Sequence, residues 1–117
     1  MNTIIDLCGA SGATYRFRLW ADGASHPPTA GNYACVRFHG GRMEVLGVGD
    51  ALDLSLVPNE LPKRLRDSAP LIYTRLNVAR ATRAAEHDDL LAVHGPVDGV
   101  GPRRAKSLGN SARKTGS

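Results

Sequence analysis

The sequence contains no apolar run of about 18 residues or more, the length that a membrane-spanning helix requires. The segment from Met1 to Asp6 has neither the basic start nor the long apolar stretch of an export signal. These two absences exclude an integral membrane protein built on helices. We therefore expect a cytoplasmic protein without a membrane partner.

Cysteine and aromatic residues are also scarce. The two cysteines, Cys8 and Cys35, lie in apolar, strand-like runs. Two cysteines alone do not indicate a disulfide framework, so we expect both to be reduced and buried. The sequence has one Trp, three Tyr and two Phe, and they show no pattern for stacking on successive bases. Any contact with nucleic acid is therefore expected to be to phosphate and not sequence-specific.

Acidic residues are nearly absent from the C-terminal segment. Residues 97–117 contain five Lys or Arg and one acidic residue, whereas residues 1–96 contain ten of each. The net charge of +4 therefore belongs to the C-terminal segment. We expect one neutral domain over residues 1–96 and a basic, flexible tail over residues 97–117. A basic tail attracts polyanions, which makes DNA a possible partner, mainly through the tail.

Short runs of apolar, β-branched and aromatic residues predict five strands, and the second and fourth of them also alternate with period two. The predicted strands cover residues 4–8, 14–20, 31–38, 43–50 and 70–76. Gly40 and Gly41 separate the third strand from the fourth, and two glycines supply the positive φ angles of a tight hairpin.

Helices are expected in the second half of the chain. Pro58 and Pro62 limit the region after the hairpin to two short helices, near residues 51–56 and 59–67. A longer helix is predicted over residues 78–93, with Asn77 as its N-cap and Gly95-Pro96 as its stop.

The predicted fold class is α+β: a small mixed or antiparallel sheet of about five strands with a long C-terminal helix on one face. Large apolar residues from the strands and the helix are expected to form much of the core. They are Tyr15, Phe17, Leu19, Val36, Phe38, Val45, Leu46, Ile72, Leu76, Leu90 and Leu91.

The hairpin carries Gly31-Asn32-Tyr33 on its first strand and Val48-Gly49 on its second. With the order of the elements that follow, it resembles the GIY-YIG endonuclease domain. The preceding strands carry Gly12-Ala13-Thr14-Tyr15-Arg16-Phe17, similar to small bacterial proteins that add two strands before that domain. The resemblance covers residues 4–96 and implies a GIY-YIG-like sheet and helix.

The GIY-YIG family cleaves DNA by metal-assisted attack of water on phosphate, using tyrosines, an arginine and a metal-binding glutamate. The resemblance places the first tyrosine at Tyr33 and the second at Gly47. It places the arginine near Val57, and the glutamate at His87 beside Glu86. The resemblance therefore implies a degenerate site that needs no cofactor. If the site were active, Tyr33, Glu86 and His87 would be catalytic and Mg²⁺ would be required.

His87 allows two interpretations. It could bind a metal ion together with Glu86, Asp88 or Asp89. It could also belong to a solvated acidic helix face, which we favour because no His-Glu-x-x-His spacing is present.

The basic tail contains a second motif. Residues 99–108 are similar to the second half of a helix-hairpin-helix motif, in which a Gly-x-Gly turn opens a helix whose free N–H groups face a phosphate. The candidate nucleic-acid-binding residues are Gly99, Gly101, Arg103, Arg104 and Lys106. The alternative is a flexible tail in which the glycine pattern has no role.

Three functions remain open from the sequence. The first is a catalytically degenerate GIY-YIG-like domain that binds nucleic acid without sequence specificity or serves as an accessory module. The second is an atypical metal-dependent endonuclease. The third is a protein-interaction module with the tail as a solubilising extension.

Overall fold

A computed structural model describes residues 2–97 of the chain. The strands are β1 (Ile4–Cys8), β2 (Thr14–Leu19), β3 (Gly31–His39), β4 (Arg42–Ala51) and β5 (Leu71–Leu76). The helices are α1 (Val57–Glu60), α2 (Lys63–Asp67) and α3 (Arg80–His94), and a 3-10 turn at Leu54–Leu56 precedes α1. The fold is α+β, as the sequence predicts.

The five strands form one sheet in the order β1-β2-β5-β3-β4, and every neighbouring pair is antiparallel. The turn between β3 and β4 has Gly40 at φ 54° and Gly41 at φ 85°, as predicted for a tight hairpin. Beyond this turn, Cys35 pairs with Gly47 but Val36 pairs with Val45, so Leu46 is an extra residue in β4. This β-bulge shifts the pairing register of β3 and β4 by one residue.

Each face of the sheet carries its own core because successive strand residues point to opposite faces. On one face, α3 packs through Leu90 and Leu91 against a cluster that includes Phe17, Val36 and Tyr73. On the other face, the 3-10 turn, α1 and α2 cover a cluster built from Cys35, Leu54, Val57 and Leu61. We call these the α3 face and the α1/α2 face.

Two expectations about burial are wrong. Leu76 is 59% exposed, although its position in β5 suggested a core residue. It is the last residue of β5 and faces away from α3, since its neighbour Arg75 bonds to Glu86 of that helix. Cys8 is exposed at the end of the edge strand β1, whereas Cys35 is buried as predicted. Burial raises the pKa of the Cys35 thiol to about 12, which keeps it protonated and unreactive.

The ends of the helices also differ from the prediction. Helix α3 begins at Arg80 after Ala79, which makes no side-chain capping bond, so the prediction of Asn77 as the N-cap is wrong. Asn77 is instead buried, with its side chain bonded to two other residues. The predicted stop is confirmed: Gly95 has φ 77°, and its N–H donates to the Leu91 carbonyl. Among residues 2–97, no helix combines the length and the apolar character needed to span a membrane.

Candidate functional site

The hairpin motif residues fill steric roles in the sheet. Gly31 lies where a Cβ atom would overlap the Arg75 carbonyl oxygen of β5 and come within 2.6 Å of the Leu54 side chain. Two residues on, the ring of Tyr33 covers its cross-strand neighbour Gly49, so that a Cβ there would meet the Tyr33 hydroxyl oxygen at 2.5 Å. Tyr33 thereby joins the α1/α2 cluster. Close packing alone accounts for Gly31 and Gly49 at these positions.

Gly47 occupies the position where the resemblance places the second tyrosine. A Cβ there would lie 2.5 Å from the Cα of Val97 and 2.6 Å from the Pro96 carbonyl oxygen. The chain leaving α3 runs along β4 at this point: the Val48 N–H donates to the Gly95 carbonyl, and Val97 packs on the α1/α2 cluster. Residues 95–97 therefore occupy the space that a side chain at position 47 would need.

The arginine predicted by the resemblance is replaced by a core residue. Val57, at the start of α1, is 1% exposed and belongs to the α1/α2 cluster. No guanidinium occupies this position to contact a phosphate.

Glu86 is held in a polar network on the α3 face. Its Oε1 accepts a hydrogen bond from Arg75 Nε at 2.8 Å and another from Asn77 Nδ2 at 2.9 Å. Asn77 Nδ2 also donates to Asn32 Oδ1, and Asn32 Nδ2 donates to the Arg83 carbonyl in α3. The network joins β3, β5 and α3 around side chains that are buried or partly buried. These hydrogen bonds stabilise the packing of the sheet against the helix.

His87 follows Glu86 on α3 and lies near the edge strand β4. Its Nε2 is 4.0 Å from Asp50 Oδ1, and its buried Nδ1 has no hydrogen-bond partner among the described residues. Within residues 2–97, no group of three or more His, Cys, Asp or Glu side chains is placed to hold a metal ion. His87 therefore has one acidic neighbour at long range in this part of the chain.

The three predicted catalytic residues do not meet. Glu86 and His87 lie on α3, while the side chain of Tyr33 lies on the α1/α2 face of the sheet. Asn32, the neighbour of Tyr33, is the residue of β3 that bonds to α3. The sheet therefore separates Tyr33 from the other two side chains.

A second polar cluster, which the sequence analysis did not identify, joins α3 to the β1–β2 turn. Asp89 accepts hydrogen bonds from the Ser11 N–H at 2.8 Å, the Ser11 hydroxyl at 2.6 Å and the Tyr15 hydroxyl at 2.8 Å. Gly9 leaves room for this carboxylate, because a Cβ there would overlap it. The residues are nearly 80 positions apart in sequence, so the local sequence offers no signal for the pairing.

Hydrogen bonds from Ser11 and Tyr15 to the carboxylate hold the pKa of Asp89 below its ordinary value of 3.8, and the bond to Asp89 raises the pKa of Tyr15. A lowered pKa in the folded state means that Asp89 contributes stability at neutral pH. That contribution disappears as the pH falls below about 4 and through the folded-state pKa.

We expect Asp89→Asn to be less stable than the wild type at pH 7, and the difference to shrink as the pH falls below about 4. Urea unfolding of both proteins across this range measures it. Asn keeps one accepting oxygen and replaces the other with an NH2 donor, so it removes the charge together with the bonds to one oxygen. Only the loss of the charge should make the difference depend on pH. The pKa of Asp6 is also lowered, by the hydrogen bond from Arg16. Asp6 is present in both proteins, so its contribution to the pH dependence cancels in the comparison. A difference that stays constant with pH would contradict this role for Asp89.

The candidate residues of the tail, Gly99, Gly101, Arg103, Arg104 and Lys106, lie outside the described residues. The helix-hairpin-helix interpretation therefore stays a prediction from the sequence.

The fold and the candidate site define a small α+β domain with a five-stranded antiparallel sheet and two polar clusters that join the sheet and the β1–β2 turn to its long helix. The chain matches no family model, and no curated protein or solved structure matches it significantly.

Proposed function

We propose that this protein is a catalytically degenerate GIY-YIG-like domain that binds nucleic acid without sequence specificity, as an accessory module. The uneven distribution of charge carries this proposal. The neutral domain ends in a segment, residues 97–117, that holds five basic residues and one acidic residue. Binding through such a segment depends on phosphate contacts and counterion release, not on reading bases.

The arrangement of α3 supports a non-catalytic role. A metal-binding glutamate needs a carboxylate free to face a divalent cation and its water ligands. In this chain, the Glu86 carboxylate accepts bonds from a cationic guanidinium and an amide. The sheet also lies between Glu86 and Tyr33, so a phosphate held near one of them would be remote from the other.

The experiment compares the full chain with two tail variants that each lose two charges. Arg103→Ala/Arg104→Ala removes charge inside the predicted motif, and Arg113→Ala/Lys114→Ala removes it outside the motif. We expect the first variant to weaken binding to duplex DNA roughly tenfold near physiological salt, and the second to weaken it less. Fluorescence anisotropy measures binding, and gel electrophoresis of the same samples with Mg²⁺ measures strand cleavage.

Each outcome is informative. Equal losses of affinity in the two variants would show that DNA is attracted to the basic tail in general and that the motif has no special role. Cleavage by the wild type, lost in Glu86→Gln, would favour the endonuclease. Failure of the wild type to bind duplex, branched or single-stranded DNA would overturn the proposed function. Tail substitutions are preferred to truncation after Pro96, because Val97 packs on the domain.

A protein-interaction module is the second candidate, and the exposed apolar residues favour it. Leu52, Leu76 and Val78 are 81%, 59% and 69% exposed. Leu76 and Ala51 both pair with Gly31, so the three exposed residues lie near the same end of the sheet. Recovery of one protein partner after nuclease treatment, lost on Leu76→Ser, would support this function over DNA binding.

A further inference from the structure

A cleft interrupts the sheet at the end where β5 begins. Leu71, the first residue of β5, pairs with Val36, and Pro70 before it has no N–H to continue the ladder. Strand β3 continues for three more residues, Arg37 to His39, without a β5 neighbour. The resulting cleft has a volume of about 420 Å³.

The walls of this cleft are mainly apolar. Phe38 and Gly41 of the β3–β4 hairpin line one side, and Ala69 and Pro70 line the other. Phe38 is partly buried against the core of the α3 face, so its position is set by packing. An aromatic ring beside a proline offers flat apolar surface of the kind on which a nucleobase stacks.

Ala69 adds a second distinctive feature to the wall. Its φ of 51° is in the left-handed region, and it is the one residue other than glycine with a positive φ among residues 2–97. Alanine adopts this conformation at a cost, and backbone strain of this kind is concentrated at functional sites. The turn follows directly from the end of α2, because the Ala69 N–H donates to the Arg66 carbonyl.

One arginine lines the cleft, and two more are close in sequence to residues of its walls. Arg37 lines it, Arg42 follows Gly41 in the hairpin, and Arg66 lies in the last turn of α2, three residues before Ala69. None of the three forms an ion pair or side-chain hydrogen bond with another residue of the 2–97 segment.

Two acidic side chains in the same segments of the chain already have partners. Glu44, opposite Arg37, interacts with His39 at 2.9 Å, and Asp67 bonds to Lys63 at 2.7 Å. These two carboxylates therefore form no ion pair with Arg37, Arg42 or Arg66.

We propose that this cleft receives an unpaired base of a single-stranded nucleic acid, with Arg37, Arg42 and Arg66 contacting the flanking phosphates. The proposal rests on the proposed nucleic-acid binding and extends it from the tail to the domain. An acidic peptide would pair with the same arginines. It has no general need for a flat apolar cleft beside them, which is why the observations favour nucleic acid.

The test uses the full chain and a fluorescent oligothymidylate of about 12 nucleotides, within the usual length range for such sites. Arg37→Ala/Arg66→Ala should weaken binding of this probe roughly tenfold. The slope of log affinity against log salt should also fall by about 0.7 for each phosphate that the variant no longer neutralises. The matched control is Arg18→Ala/Arg80→Ala, which removes two exposed arginines of β2 and α3 that are also unpaired within residues 2–97. The control should bind like the wild type.

Stacking is tested separately from charge. Phe38→Leu should weaken binding of the single strand about fivefold, whereas Phe38→Trp should retain it. Both substitutions disturb the core, so a folding defect would affect both, and thermal unfolding of each variant checks this. Neither should change binding of a blunt duplex, which has no unpaired base to insert.

The outcomes separate the cleft from the proposed function. If the wild type binds the probe and the cleft variants bind equally well, the cleft proposal fails and binding through the tail stands. If the wild type binds no nucleic acid, the proposed function fails first. Polyglutamate is also tested as a competitor of the probe. If Arg37→Ala/Arg66→Ala weakens the binding of polyglutamate and of the probe equally, and Phe38→Leu weakens neither, the cleft recognises acidic protein and our assignment is wrong.

Discussion

Substituting Gly31 by alanine is expected to destabilise the protein by about 3 kcal/mol, at the upper end of the usual cost of overpacking. Gly31 is buried between β4 and β5, and a Cβ atom there would overlap the Arg75 carbonyl oxygen. That oxygen belongs to the backbone of a central strand, so the overlap can be relieved only by moving β5. Urea unfolding of the wild type and Gly31→Ala measures the loss.

A double variant identifies the obstacle. The Leu54 side chain is the second group that a Cβ at Gly31 would meet, at 2.6 Å. If Leu54 were the main obstacle, shortening it would rescue Gly31→Ala. We expect no rescue in Gly31→Ala/Leu54→Ala, because the Arg75 carbonyl remains and the loss of Leu54 opens a cavity in the α1/α2 cluster. A double variant more stable than Gly31→Ala would contradict the backbone explanation.

Glu86→Ala is expected to cost about 2 kcal/mol of folding stability. Removing the carboxylate leaves the Arg75 guanidinium and one N–H of Asn77 without their acceptor. The Glu86 side chain is 16% exposed and that of Arg75 is 30% exposed, so water compensates for part of the loss. The cost should therefore be smaller than for a fully buried ion pair.

Two controls distinguish this network from a general effect of helix charge. Asp88 is the next acidic residue on α3, and its exposed carboxylate makes no hydrogen bond within residues 2–97. Asp88→Ala should therefore change stability by less than about 0.5 kcal/mol. Glu86→Gln keeps the accepting oxygen and should lose less than Glu86→Ala. Equal stability of Glu86→Ala and Asp88→Ala would rule out a structural role for the network.

The stability of Glu86 variants affects how cleavage assays should be interpreted. If Glu86 is compared with the metal-binding glutamate of GIY-YIG endonucleases, loss of activity in Glu86→Ala would be interpreted as loss of a metal ligand. In this fold, the same substitution also weakens the tie between the sheet and α3, so a partly unfolded protein could give the same result. Glu86→Gln, with its folded fraction measured in the assay buffer, is the appropriate variant.

The sequence by itself determined the five strands closely and the short helices less well. The helix predicted near residues 51–56 is wrong, because β4 continues to Ala51 and only a 3-10 turn follows before α1 begins at Val57. Short apolar runs, which alternate with polar residues in the second and fourth strands, located all five strands to within about two residues. The Gly40-Gly41 pair identified the hairpin turn, and Gly95 identified the end of α3, because both require positive φ. These signals are local, since each depends on a residue and its immediate neighbours in the chain.

The tertiary structure alone decided which side chains meet. Alternation shows that Asn32 and Tyr33 point in opposite directions, but it does not show which of them faces α3. Asn77 has the sequence signature of an N-cap, yet its amide donates hydrogen bonds to Asn32 and Glu86. These bonds satisfy polar groups that are buried or partly buried. Contacts between residues far apart in sequence depend on strand order and on the path of the chain across the sheet. For that reason the separation of Tyr33 from Glu86 and His87, the Asp89–Ser11 contact and the cleft beside Phe38 became visible only in the folded chain.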